Sequence, residues 1–161
     1  MAIQTDVRQS LPRGPLGTKV DASLNGIDSR ALEGSYDSVF GKAAIKGSIP
    51  GKTVVLPGAV FDRDVFEGVV MNNFLAEIWT DGSIDVPEGS SIGVMRWGRV
   101  WVHTAPDAAP GYGDAAYVIP SGENAGKFTT EAAGNIKIYG CFVGGKSDGD
   151  AAPLELFRQS T

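Results

Sequence analysis

Glycine and proline interrupt this chain too often for long helices to dominate it. Twenty-two of its 161 residues are Gly and nine are Pro, and the Gly share is about twice the usual ~7%. Such a chain is built from short elements joined by tight turns. From residue 39 onward the intervening runs are short and β-type: "VFGKAAIKG", "KTVVLPG", "VFEGVVMNN", "SIDVPEG", "SIGVM", "RVWVHT", "GDAAYVIP", "GKFTT", "NIKIYGCFV" and "PLELFRQS". About ten strands at spacings of about 8–12 residues predict an all-β domain, a single β-barrel or jelly-roll-like sandwich. "FLAEIWTDG" is ambiguous, because Phe74, Leu75 and Ile78 also fit one helical turn. The chain shows no internal repeat.

Residues 1–38 read differently. Leu11, Leu16, Val20, Leu24, Ile27 and Leu32 fit neither a period of 2 nor one of 3.6. Yet a large apolar side chain returns every few residues, which a plain disordered tail lacks. The expectation is an extended N-terminal arm over 1–38 that orders against a partner, followed by a β body over 39–161. Deleting residues 1–33 is then expected to leave the body folded.

Charge narrows the partners. The chain carries a net charge of −5, with a net of +2 over residues 1–52 and −7 over the remainder. Nucleic acid is disfavoured, because binding phosphates needs a basic face. The opening "MAIQTDVRQSLPRG" has no apolar core of a signal peptide. No run reaches the ~18 apolar residues of a membrane span. The protein is expected to be made and used without crossing a membrane.

The densest cluster of chemistry-bearing residues is "MRWGRVWVHT", residues 95–104, with two of three Trp, two Arg and the only His. Read as two strands around a Trp97-Gly98 turn, it puts Val100, Val102 and Thr104 on a core face. Arg99, Trp101 and His103 then share a polar face, which is a possible interface because Trp and Arg are enriched at hot spots. A catalytic His needs a nucleophile and an orienting group. G-x-S-x-G occurs at residues 89–93 and 145–149, but neither match is followed by the helical pattern of a nucleophile elbow. The single Cys141 lies in an apolar run, where a small buried hydrophobe is expected. One His and one Cys do not make a zinc site. Asp62, Asp64, Glu67, Glu77, Asp81, Asp85 and Glu88 read as a solvated acidic face; "FDRDVFEG" is too short for a calcium loop. G-C-F-V-G-G-K-S, residues 140–147, matches the phosphate-loop pattern in letters, but its first half belongs to the β-type run "NIKIYGCFV" and no helical pattern follows it, as a phosphate loop requires. The expectation is a protein without catalysis, cofactor or metal.

In order and spacing, "VFGKAAIKG", "VFEGVVMNN", the G-x-V-W-V of "SIGVMRWGRVWVHT", "GYGDAAYVIP", "GNIKIYGCFV" and "APLELFRQS" resemble the head decoration, or capsid cement, proteins of tailed bacteriophages. The resemblance runs from about residue 34 to the end. It implies a barrel or jelly-roll-like body on the outer surface of the virion capsid, assembled in the host cytoplasm. The body would clamp neighbouring subunits of the expanded major capsid protein shell. It also implies a homo-oligomer, a trimer before a dimer, with Leu11, Leu16, Val20, Leu24, Ile27 and Leu32 as arm anchors on the shell. The rivals are another virion β-module, from tail or baseplate, a carbohydrate-binding module using Trp79, Trp97, Trp101 and Tyr112, and an enzyme built on a β-barrel, which His103→Ala would inactivate.

Overall fold

A computed structural model describes residues 14–58, 65–72, 77–78, 84–147 and 149–159. Its elements among those residues are all strands. They are β1 (Gly26–Leu32), β2 (Tyr36–Asp37), β3 (Ala43–Lys46), β4 (Thr53–Val55), β5 (Phe66–Val70), β6 (Glu77–Ile78) and β7 (Ile84–Val86), then β8 (Ser91–His103), β9 (Ala115–Val118), β10 (Phe128–Thr129), β11 (Ile136–Phe142) and β12 (Ala151–Leu156). The all-β expectation holds. Of the ambiguous "FLAEIWTDG" stretch, Glu77–Ile78 is strand; Phe74 and Leu75 lie outside the described residues.

One strand organises the molecule. The nine-stranded sheet runs β1-β4-β3-β5-β8-β12-β11-β9-β10, and β1 also pairs with β8. The extra pairing closes β1, β4, β3, β5 and β8 into a five-stranded barrel. The N-terminal half of β8 pairs with β1 and β5, while its C-terminal half, from Gly98 to His103, pairs with β12. The second half of the sheet curls back, since Thr104 bridges Phe128 in parallel. β8 therefore belongs to two walls at once.

Each wall encloses its own core. Leu32, Ala44, Val54, Val70, Ile92 and Val94 fill the barrel. Val100, Val102, Val118, Phe128, Phe142 and Leu154 fill the second, together with Ala43, Val69 and Met95 from the barrel's outer side. Full burial of such a side chain contributes about 1.5–3 kcal/mol. The small sheet β2-β7-β6 lends Tyr36 and Val86 to the barrel core.

The hairpin expected at Trp97-Gly98 does not form, and β8 runs through without a break. Gly98 does take a left-handed φ of 123°, but its partners on neighbouring strands hold the chain extended. The irregularity is a bulge. Ile27 faces Met95 and Gly26 faces Trp97, so Arg96 is the extra residue on β8. Bulge and glycine together let Met95, Val100 and Val102 join one core, although 95 and 100 lie an odd number of residues apart.

The segment 1–38 is not one uniform arm. Residues 26–32 are β1, and Leu32 is 1% exposed in the barrel. Removing residues 1–33 would take a wall out of the barrel. The expectation that such a truncated body folds gives way to that closure. β1 escapes sequence reading because its inward positions beside Ile92 and Val94 are Arg30 and Asp28, which hide the apolar alternation.

Candidate interaction surface

Residues 17–20 form a strap along the free edge of β8. Gly17 donates to the Trp101 carbonyl at 2.8 Å, Trp101 donates to the Thr18 carbonyl at 2.9 Å, and Val20 donates to the Arg99 carbonyl at 3.1 Å. Lys19 bridges Val100 antiparallel. The strap is a short strand added in cis to an edge that would otherwise show unpaired N–H and C=O groups.

The side chains follow. The Arg99 guanidinium meets Asp21 and Glu155, each at 3.0 Å. Asp21 is held below the usual carboxylate range by the Ser23 hydrogen bonds first and by Arg99 next. Arg99 is held still more firmly protonated by Asp21 and Glu155. Trp101 is 8% exposed, which corrects the expectation of a ring on a polar surface. The absence of a side chain at Gly14 makes room: a Cβ there would stand 2.5 Å from the Trp101 ring. His103 is half-buried, and its amide donates to the Gly41 carbonyl at 2.9 Å. Val100, Val102 and Thr104 are buried as the alternation predicts.

The arm residues separate by role. Leu16 packs on the barrel core, Val20 is half-buried in the strap, and Leu32 is core. Leu24 is 85% exposed and Ile27 partly so. Leu11 lies outside the described residues.

A second feature was not legible in the sequence. A cleft of about 290 Å³ opens at one end of the barrel, where Arg96, Trp97, Glu67, Tyr139, Phe157 and Arg158 meet. Glu67, expected on a solvated acidic face, is instead buried. It is the extra residue of a bulge in β5, where Ile45 faces Phe66 and Ala44 faces Gly68. Arg30 and Arg96 approach it at 4.0 and 3.9 Å, and both also pair with Asp28, at 2.9 and 3.6 Å. Of the other acidic residues, Glu88 is exposed, while Asp62, Asp64 and Asp81 and the side chains of Glu77 and Asp85 lie outside what is described.

No catalytic constellation accompanies these surfaces among the described residues. Cys141 stands opposite Glu155 and Ala115, whereas His103 stands opposite Ala151 at the far end of β12. Burial pushes the Cys141 thiol up, so it is protonated at neutral pH and a weak nucleophile. No group of three or more His, Cys, Asp or Glu that could hold a metal ion occurs there. No helix there is long and apolar enough to cross a membrane. Burial of Trp101 also removes it from any flat aromatic platform for a glycan.

Comparison with known proteins decides what kind of β body this is. Residues 3–157 match the family described as structural cement protein (E217 gp24/Pam3 gp6). The chain belongs to this family of phage structural cement proteins. The resemblance seen in the strand order is therefore borne out. A solved structure described as the capsid of Myoviridae phage XM1 contains a chain of the same fold. It superposes with a TM-score of 0.74 at 17% identity, covering 98% of this chain and 99% of that one. No curated protein matches the sequence. As a cement family member the chain is a structural component of a phage capsid, associated with capsid proteins in the virion.

Proposed function

We propose that this cement protein binds the outside of the expanded phage capsid and ties neighbouring major capsid protein subunits together, without catalysing a reaction. The family match over residues 3–157 carries the reading. The physics is mass action: a ligand that binds only the expanded shell stabilises that state. Several subunits bound by one oligomer strengthen weak contacts through effective concentration. We take that oligomer to be a trimer on three-fold axes before a dimer on two-fold axes. Of the expected arm anchors within the described residues, Leu24 and Ile27 are the most exposed, and they are assigned to the shell. Leu16 and Leu32 serve the fold.

Co-sedimentation with undecorated expanded capsids, beside unexpanded procapsids, tests this. Saturable binding to the expanded shell alone is expected. Equal binding to both shells, or to neither, overturns it.

A further inference from the structure

The barrel has one apolar interior and one charged mouth. Arg30 and Asp28 stand beside Ile92 and Val94 on the inward face of β1 and β8. Two bulges, at Glu67 on β5 and Arg96 on β8, bring those side chains to the same end. Bulges re-aim side chains and recur at binding sites. Glu67 is buried there and the Arg30 side chain mostly so, while Asp28 and Arg96 stay partly exposed. Desolvation offsets the attraction of the first pair and solvent screens the second, so the network adds little to stability. The network calls for another use.

The mouth is also unbalanced. Among the described residues, Arg30, Arg96 and Arg158 face Asp28 and Glu67, a local excess of one positive charge on a chain of net charge −5. Among those described residues Arg158 is the cation left over. Its guanidinium lies 5.5 Å over the Trp97 ring, and no carboxylate pairs with it among the described residues. The stack holds the guanidinium in place while leaving its hydrogen-bonding edge available. Beside it, Tyr139 and Phe157 are 46% and 47% exposed. They sit side by side, since Phe157 donates its amide to the Tyr139 carbonyl at 2.9 Å. Fixed Arg and aromatic side chains around a concavity are the composition of an interface hot spot.

We propose that this mouth is a docking site for an extended segment of the shell protein that carries a carboxylate side chain. The carboxylate pairs with Arg158 and Arg96, and an apolar neighbour lies on Tyr139 and Phe157. The proposal rests on the capsid-binding reading above and names the part of the surface that would perform it. It is separate from the strap and from Leu24 and Ile27.

The test uses the full-length protein and expanded capsids. Arg158→Glu is expected to weaken co-sedimentation at least tenfold, and Tyr139→Ser with Phe157→Ser to a similar extent. Tyr112→Ser, at an exposed ring outside the cleft, should bind as the parent does. Arg158→Lys supplies an amine that carbodiimide can couple to a carboxylate, so a covalent link from position 158 to the capsid protein is expected. All four side chains are exposed, and unchanged melting temperatures verify folding. Undiminished binding by folded Arg158→Glu, with the parent protein binding, overturns this site and leaves the capsid-binding reading standing. Altered self-association with capsid binding intact likewise overturns it, in favour of a second copy as occupant. No binding by the parent protein overturns both.

Discussion

Gly17 and Trp101 are joined by a main-chain hydrogen bond of 2.8 Å, and that bond anchors the N-terminal strap to the strand shared by both cores. The strap covers the backbone of β8 where it has left the barrel and taken β12 as its other neighbour. It also lays Gly14 against the Trp101 ring. An edge strand left bare there would be a site for unwanted pairing. The strap closes it with the chain's own residues.

A chain that begins at Ala22 should therefore still fold, with lower stability. It loses three strap-to-β8 bonds and the bond from the Asn72 amide to the Gly17 carbonyl, at about 1 kcal/mol each, together with the packing of half-buried Leu16 at about 1–2 kcal/mol, for a total of about 5–6 kcal/mol. Hydrogen exchange at the Trp101 amide should rise. A chain that begins at Gly34 lacks β1 and should show no cooperative unfolding transition. Equal stability of the two truncations would contradict this account of the barrel.

Acid should loosen the strap. Asp21 has a folded-state pKa below its ordinary 3.8, so its contribution is complete above that value and is lost as pH falls through the folded one. Asp21→Asn should be less stable than the parent at neutral pH, by a small margin because the pair is solvent-screened. The margin should narrow as pH drops below 3.8. A margin that stays constant through this range would show that Asp21 acts by some other means than its charge.

The second core should respond as a close-packed interior. Phe142 is fully buried among Val100, Val102, Phe128 and Leu154, and Phe142→Ala should cost about 3–5 kcal/mol. Tyr112→Ala, at an exposed ring, should stay within about 0.5 kcal/mol of the parent. Urea denaturation of both variants measures the contrast.

How far the sequence could be read depended on which interactions were local. Val100, Val102 and Thr104 were legible as core because period-2 alternation is a property of neighbouring residues. The continuity of β8 was not. A left-handed glycine such as Gly98 suits a turn or a bulge equally, and only the partner strands β1, β5 and β12 select the second. β1 was missed because Asp28 and Arg30 occupy inward positions and find partners in Glu67 and Arg96, far along the chain. The burial of Trp101 depended on Gly14, 87 residues earlier, and the charged mouth depended on two bulges that no local pattern announces. The cement family was recognisable all the same, since the order of the β motifs survives such local misreadings.

Thermal disruption of expanded, undecorated capsids, with and without the purified protein, tests cementing most directly. Protein at about 100 times its Kd adds about 2.7 kcal/mol per bound site. The account predicts a saturable rise in the temperature at which the shell comes apart, reached near about one copy per subunit on the multivalent model. A disruption temperature unchanged at saturating protein would contradict the cement role.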